Sequence, residues 1–329
     1  MDKTLSKEET VVNEDELFYL IDNKSITSEK ITAPRYSYWR SVFRVFFKKK
    51  INIVILALLA LIIVMSFIFP LFTTYAPTDY KLNPNLTVLD THHLSPFQAI
   101  KKFGFDFKWI FGTDELGDSI FYGIWHSAKT SISLSFICAA INLTVGILIG
   151  AVWGFSKKVD IVMTEVYNIV ANVPYLLFVT VFVYVVGSGF WSFVAALTVT
   201  GWLGIAYFIR TQVVIIRDRE YNLASKCLGT PTLRLVIKNI LPFLTSVIVT
   251  ITASEIPSYI SYEVFLSYIG IGISADTPSI GQMVQSAQGV YQVYPWEFWA
   301  PVGIASIITV ILYVVGQNLA DASDPRTHM

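Results

Sequence analysis

The chain has 329 residues, of which 54% are hydrophobic and only 15% charged, with 24 Lys and Arg balanced by 24 Asp and Glu. That is more apolar than a soluble domain needs, and the charges are gathered into a few stretches, so the bilayer is the expected solvent and no nucleic-acid partner is implied. Of the two cysteines, Cys138 falls inside an apolar stretch and Cys227 inside a polar one, which argues against a disulfide framework.

Residues 1–34 are polar, rich in Glu, Lys, Ser and Thr, and read as a flexible tail. From Arg35 to Lys50 the pattern changes: Arg40, Arg44 and Lys48 recur at helical spacing, with Trp39, Val42, Phe43, Phe46 and Phe47 on the opposite side. This predicts an amphipathic helix lying in the membrane interface. Six apolar windows then reach the ~20 residues that a bilayer crossing needs. They are Ile51–Phe72, Thr130–Phe155, Ile161–Val186, Phe190–Ile209, Ile240–Tyr262 and Phe298–Ala320. Four hold no acidic or basic residue; the other two carry Glu165 and Glu255. The fold class expected is therefore an all-α membrane protein with six transmembrane helices. About fifty polar residues precede the first window and no small-residue cleavage pattern follows it, so it reads as a retained anchor.

Nineteen of the 24 Lys and Arg lie before the first window, in the second-to-third and fourth-to-fifth connections, or after the last window. By the positive-inside tendency these segments, and both termini, are expected in the cytoplasm. The stretch 73–128 is then external. Broken by Pro77, Pro84 and Pro96, it is too short for an independent domain and is expected to cap the bundle. Its adjacent His92 and His93 have no Cys or carboxylate at ligand spacing and read as a solvated loop, not a metal site. Residues 263–297 form a second external loop, 210–239 a cytoplasmic one, and 321–329 a cytoplasmic tail.

Gly146, Gly150 and Gly154 repeat every fourth residue in the second window and mark a helix face open to close approach, by a neighbour in this chain or in another. Gly123-Ile-Trp-His-Ser-Ala-Lys129-Thr130 imitates a phosphate-binding loop but has Ala128 where the second glycine is required. No nucleophile elbow, metal helix or other phosphate cradle is present, so no catalytic residue, metal or cofactor is expected in the chain itself.

In the 210–239 loop, Tyr221, Ala224, Ser225 and Leu228 fall on one face of a short helix that Gly229 ends. Thr230-Pro231 reads as the cap and first turn of a second helix running towards Leu241-Pro242. The physical picture is a small-residue helix able to seat in a partner's groove. Leu223-Ala224-Ser225, Gly229 and Leu241-Pro242 resemble the cytoplasmic loop of ABC importer permeases, whose pattern is Glu-Ala-Ala, three residues, Gly, then Leu-Pro. Here Leu223 replaces the Glu and Ser225 the second Ala. Phe111-Gly-Thr-Asp-Glu-Leu-Gly117 is similar to a segment of the oligopeptide and dipeptide branch, which continues Arg-Asp where this chain has Asp118-Ser119. Glu263, Phe265–Gly272, Thr277–Gly281 and Asp321–Arg326 follow the same branch, as its C-type subunit carries them.

The resemblance runs from Tyr36 to Arg326. It implies the type I ABC importer fold, with a homologous B-type permease, two ABC ATPases that hold ATP and Mg, and an extracellular peptide-binding protein as partners. It also implies that Glu220, Tyr221, Ala224, Ser225, Leu228 and Gly229 couple the chain to an ATPase. Asn142, Asn168, Asn172, Ser254 and Glu255 are the polar groups expected along a translocation path, since intramembrane polar side chains face cavities or partners. Glu263 reads as a helix cap or loop tether at least as readily as a substrate contact. The rival readings are import of nickel or a glycan by the same branch, and an ATPase-independent channel or ion-coupled carrier. The latter would be expected to place several ionisable groups at the midplane, where Glu255 is the strong candidate.

Overall fold

The structure, a computed structural model, describes residues 37–75, 91–274 and 277–324. The tail expected at 1–34, Pro77 and Pro84 of the cap, and Arg326 lie outside the described residues. The chain divides into Met1–Tyr38 and Trp39–Met329, and the fold is that of the second unit.

Helix α1 (Tyr38–Lys48) buries Val42 and Phe46 and leaves Trp39, Phe43 and Phe47 about half exposed, their rings 6.4 and 6.5 Å apart in a ridge. Asn52, in the first turn of α2 (Lys50–Phe67), donates from Nδ2 to the Phe46 carbonyl at 2.8 Å and fixes the corner between the two helices. Helix α2 is apolar on every side, as a helix facing lipid is. Next comes α3 (Pro96–Phe103), closed by a reciprocal capping box between Ser95 and Gln98.

The central element is α4 (Ile120–Phe155), 36 residues and thus about 54 Å long. It begins ten residues before the hydropathy window at Thr130, because Ser119 caps it and the backbone ladder continues where apolarity fades. The stretch Gly123–Thr130 is part of this unbroken helix, so no phosphate loop exists there.

The third predicted span is not one helix. Helices α5 (Lys157–Ala171) and α6 (Tyr175–Val186) meet at 76°. Pro174 is the cause: it lacks an N–H and pushes the preceding residue out of the helical region. Helices α7 (Phe190–Val199) and α8 (Gly201–Ile216) together make a 27-residue span with a break at Thr200. Then follow α9 (Glu220–Cys227), α10 (Thr232–Leu235), tight turns over 236–244, α11 (Thr245–Tyr268), α12 (Ile280–Ser286) and α13 (Pro295–Ser323). Among the described residues five helices are long and apolar enough to cross a membrane, six with α5 and α6 counted as one broken span.

Helix α10 starts one residue later than the sequence pattern suggested, with Pro231 in the cap position and no side-chain cap bond from Thr230. The glycine face of α4 meets α8 of the same chain. A Cβ on Gly150 would stand 2.3 Å from the Ala206 carbonyl oxygen, and one on Gly154 2.7 Å from that of Arg210. Helix α13 packs on α11 in the same way, Gly316 lying over Ala253.

Candidate functional site

At the C-terminal end of α4, Arg217 and Arg210 organise the approach to α9. Asp160, in the first turn of α5, accepts from Arg210 Nε at 2.8 Å and Nη2 at 3.1 Å, and from Trp153 Nε1 at 3.0 Å. Arg217 Nη1 stands 3.9 Å from the same carboxylate and donates to the Gly154 carbonyl at 2.9 Å. The root of α9 is thereby bonded to the α4–α5 elbow.

Among the described residues, helix α9 is held on one side only. Asn222 is buried and donates to the Ile216 carbonyl at 3.0 Å, and Tyr221 stacks on Phe243 with ring centres 5.4 Å apart. Ser225 accepts from Asn239 Nδ2 at 3.3 Å. Glu220, Leu223, Ala224 and Leu228 are exposed, Leu228 by 86%. Gly229, at φ +78°, ends the helix, and the Thr230 N–H closes back on the Ser225 carbonyl at 3.2 Å. The outcome is a short ledge with exposed apolar and small residues, anchored at its root.

The predicted path residues separate. Glu255, on α11, lines a cavity of about 570 Å³ bounded by the α5–α6 bend, the α7–α8 break and α11. Tyr175, Tyr259, Tyr262, Thr200 and Gly204 line it too. Asn142 does not reach a path surface: it is fully buried, donating to the Leu197 carbonyl at 3.1 Å and to Tyr259 Oη at 2.6 Å. A small polar side chain there is enclosed because α7, α8 and α11 all press on α4 around it, Gly201 included. Ser254, Asn168 and Asn172 are exposed outside the cavity, Asn172 donating to the Asn168 carbonyl.

Glu263 is the best-enclosed carboxylate in the chain's described residues, at 0% exposure. It accepts from Ser131 at 2.8 Å, Ser279 at 2.6 Å and Ser267 at 3.2 Å, so it ties α4 and the segment leading into α12 to α11. Its place is a loop tether and not a cavity wall. A Cβ on Gly281 would lie 2.6 Å from its carboxylate, which explains a glycine there.

At the N-terminal end of α4, the segment 91–119 folds on itself and on α13. Asp114 Oδ1 accepts from the backbone N–H of Leu116 at 3.0 Å and Asp118 at 2.8 Å. Burial pushes its pKa up to about 7, with the Asp118 charge adding and these backbone bonds opposing. Asp118 and Ser119, where the related branch has Arg-Asp, supply one of those N–H donors and the α4 cap. His93 is not solvated as expected: its Nδ1 lies 2.6 Å from Glu297 Oε1 and its ring stacks on Tyr294 at 3.9 Å. No group of three or more potential metal ligands occurs among the described residues.

Sequence reasoning missed Asp160, Arg210, Tyr259 and Glu297. Asp160 alone carried a signal, as a carboxylate between Lys158 and an apolar run; its partner is 50 residues away.

Comparison with known proteins follows the same outline. Residues 142–329 match the family of binding-protein-dependent transport system inner membrane components, and 37–96 match the N-terminal TM domain of oligopeptide transport permease C. The chain is 45% identical to the oligopeptide transport system permease protein AmiD of Streptococcus pneumoniae, over 95% of this chain and 98% of that one. It is 34% identical to the oligopeptide transport system permease protein OppC of Bacillus subtilis, over 91% and 93% of the two chains. Among solved structures, the inward-facing MetNI methionine ABC transporter aligns with 61% of this chain and 94% of its own, at 18% identity and a TM-score of 0.47. The chain therefore belongs to the binding-protein-dependent transport system inner membrane components and is a multi-pass ABC importer permease.

Proposed function

We propose that this permease imports oligopeptides, as one half of a translocation path whose other half is a homologous B-type permease. The observation that carries the reading is the 45% identity, nearly end to end, with a protein named as an oligopeptide transport permease. In this reading both termini and α9 face the cytoplasm, in keeping with the clustering of Lys and Arg. Two ABC ATPases bind ATP with Mg, and an extracellular binding protein delivers the peptide.

The ledge of α9 suits an ATPase groove: Ala224 and Ser225 permit close approach, while Leu228 and Tyr221 offer apolar area. Movement of that ledge is passed through Arg217 to Gly154 and Asp160, and so to both α4 and the base of α5. Helix α5 ends at the bend that walls the Glu255 cavity. A rigid helix joining the two places is the physical means of coupling.

Uptake of labelled tetra-alanine by cells lacking this gene, and any redundant importer, tests the proposal. Uptake is expected to vanish and to return with the gene; unchanged uptake would sink the peptide reading. Gentle purification is expected to bring two ATPase subunits with the chain.

A further inference from the structure

We propose that Glu255, with Tyr175, Tyr259 and Tyr262 around it, forms a subsite for the ammonium group at the N-terminus of a peptide. The inference rests on the peptide-import reading. Glu255 stands on a membrane-spanning helix and lines a cavity of about 570 Å³, within the ordinary size range of small-ligand sites. Among the described residues no Lys, Arg or His lies within ion-pair distance of it. A carboxylate so placed must hold a proton or meet a cation.

The surroundings favour an organic cation. Three tyrosines line the same cavity, Tyr175 and Tyr259 each near Tyr262, with ring centres 5.5 and 6.0 Å apart. Ring faces attract an ammonium; of the hydroxyls, that of Tyr175 is turned to the Leu197 carbonyl at 2.7 Å. Asn142 holds Tyr259 from behind through its 2.6 Å bond to Oη, which fixes that ring on the wall it shares with Glu255. On the same wall Thr200 adds a buried hydroxyl that has no partner among the described residues. Tyr167 apart, the remaining wall, with Ile169, Val170, Val173, Phe178 and Leu203, is apolar and offers no charged group. The one cation common to peptides of every sequence is the terminal ammonium.

The test places a reporter thiol in the cavity of the assembled transporter. Gly204 lines the cavity, and a Cβ there has nothing within 4 Å, so Gly204→Cys is sterically free. Exposed Cys227 is removed as Cys227→Ser, and gene-dependent peptide uptake by cells carrying the unaltered chain serves as the control. Maleimide labelling of membranes is followed against tetra-alanine and N-acetyl-tetra-alanine. The concentration of free-amine peptide that halves labelling is expected to be about tenfold lower than that of the acetylated one, the worth of one charge-assisted contact. Glu255→Gln is expected to equalise the two, and Glu255→Asp to restore the difference. Equal protection by both peptides with Glu255 in place, or protection by neither, overturns the subsite. If uptake with the unaltered chain is gene-dependent, that failure leaves the import reading standing; if that uptake does not depend on the gene, the import reading itself falls.

Discussion

Arg217 Nη1 donates to the Gly154 carbonyl at 2.9 Å, so the residue that leads into α9 is bonded to the last turn of α4, 63 positions earlier. Asp160 completes the joint by holding Arg210 with two hydrogen bonds. Asp160→Asn removes the charge that both arginines face and is expected to cost about 1.5–3 kcal/mol locally. Amide exchange across 217–227 should quicken while the core of α4 stays protected. In the assembled complex, ATP hydrolysis should persist with peptide transport reduced; unchanged exchange and transport would show that the joint is idle.

The exposed ledge of α9 gives a second expectation. Ala224→Trp adds bulk to a face that is exposed among the described residues, so thermal stability of the purified chain should not change. Transport should fall by about tenfold or more, the scale of a central interface residue. Gly229→Ala acts differently: its Cβ meets open space, but φ of +78° costs about 1 kcal/mol for any L side chain. A small loss of stability with retained transport is expected from it.

The α4–α8 contact predicts a contrast between two glycines. A methyl at Gly150 would stand 2.3 Å from the Ala206 carbonyl, whereas at Gly204 it meets nothing within 4 Å. Gly150→Ala should therefore destabilise by about 1–3 kcal/mol through overpacking, seen as a lower Tm. Gly204→Ala should leave Tm in place.

Glu263→Ala deprives the hydroxyls of Ser131, Ser267 and Ser279 of their shared acceptor. The expected loss is about 3 kcal/mol, concentrated on α12. Faster labelling of a thiol at Gln282→Cys would report its release; an unchanged rate would mean that apolar packing alone seats α12.

Asp114 predicts a pH dependence of the 91–119 segment. Its pKa in the folded protein is raised from 3.8 to about 7 by burial, so the fold favours its protonated form. The stability it contributes is full below 3.8 and is lost as pH rises through about 7. Amide exchange in 91–119, corrected for intrinsic rate, should speed up between about pH 5 and pH 8. Asp114→Asn keeps the acceptor oxygen, and the change with pH should flatten.

Much of the architecture was legible in the residues. Apolar length marks spans whatever their neighbours are, because the hydrocarbon thickness sets it, and Pro257 and Pro301 did not break the helices that hold them. The short helix of α9 and its glycine stop were equally local, since a positive φ at Gly229 is a property of one residue. The 76° bend at Pro174 escaped because hydropathy averages over a break that changes direction and not composition.

By itself the sequence determined that this chain lives in a membrane, about how many times it crosses, and which loop resembles a coupling element. Tertiary structure alone decided which polar residues share a space. Glu255 opens to a cavity while Asn142, equally polar and equally intramembrane, is sealed behind Tyr259, and Glu263 is consumed by three serines. The partners of Asn142 stand 55 and 117 positions away in the chain, and Ser131 stands 132 from Glu263. A helix surface presents side chains on all sides, and only the packing of the other helices determines which side is enclosed and which is open.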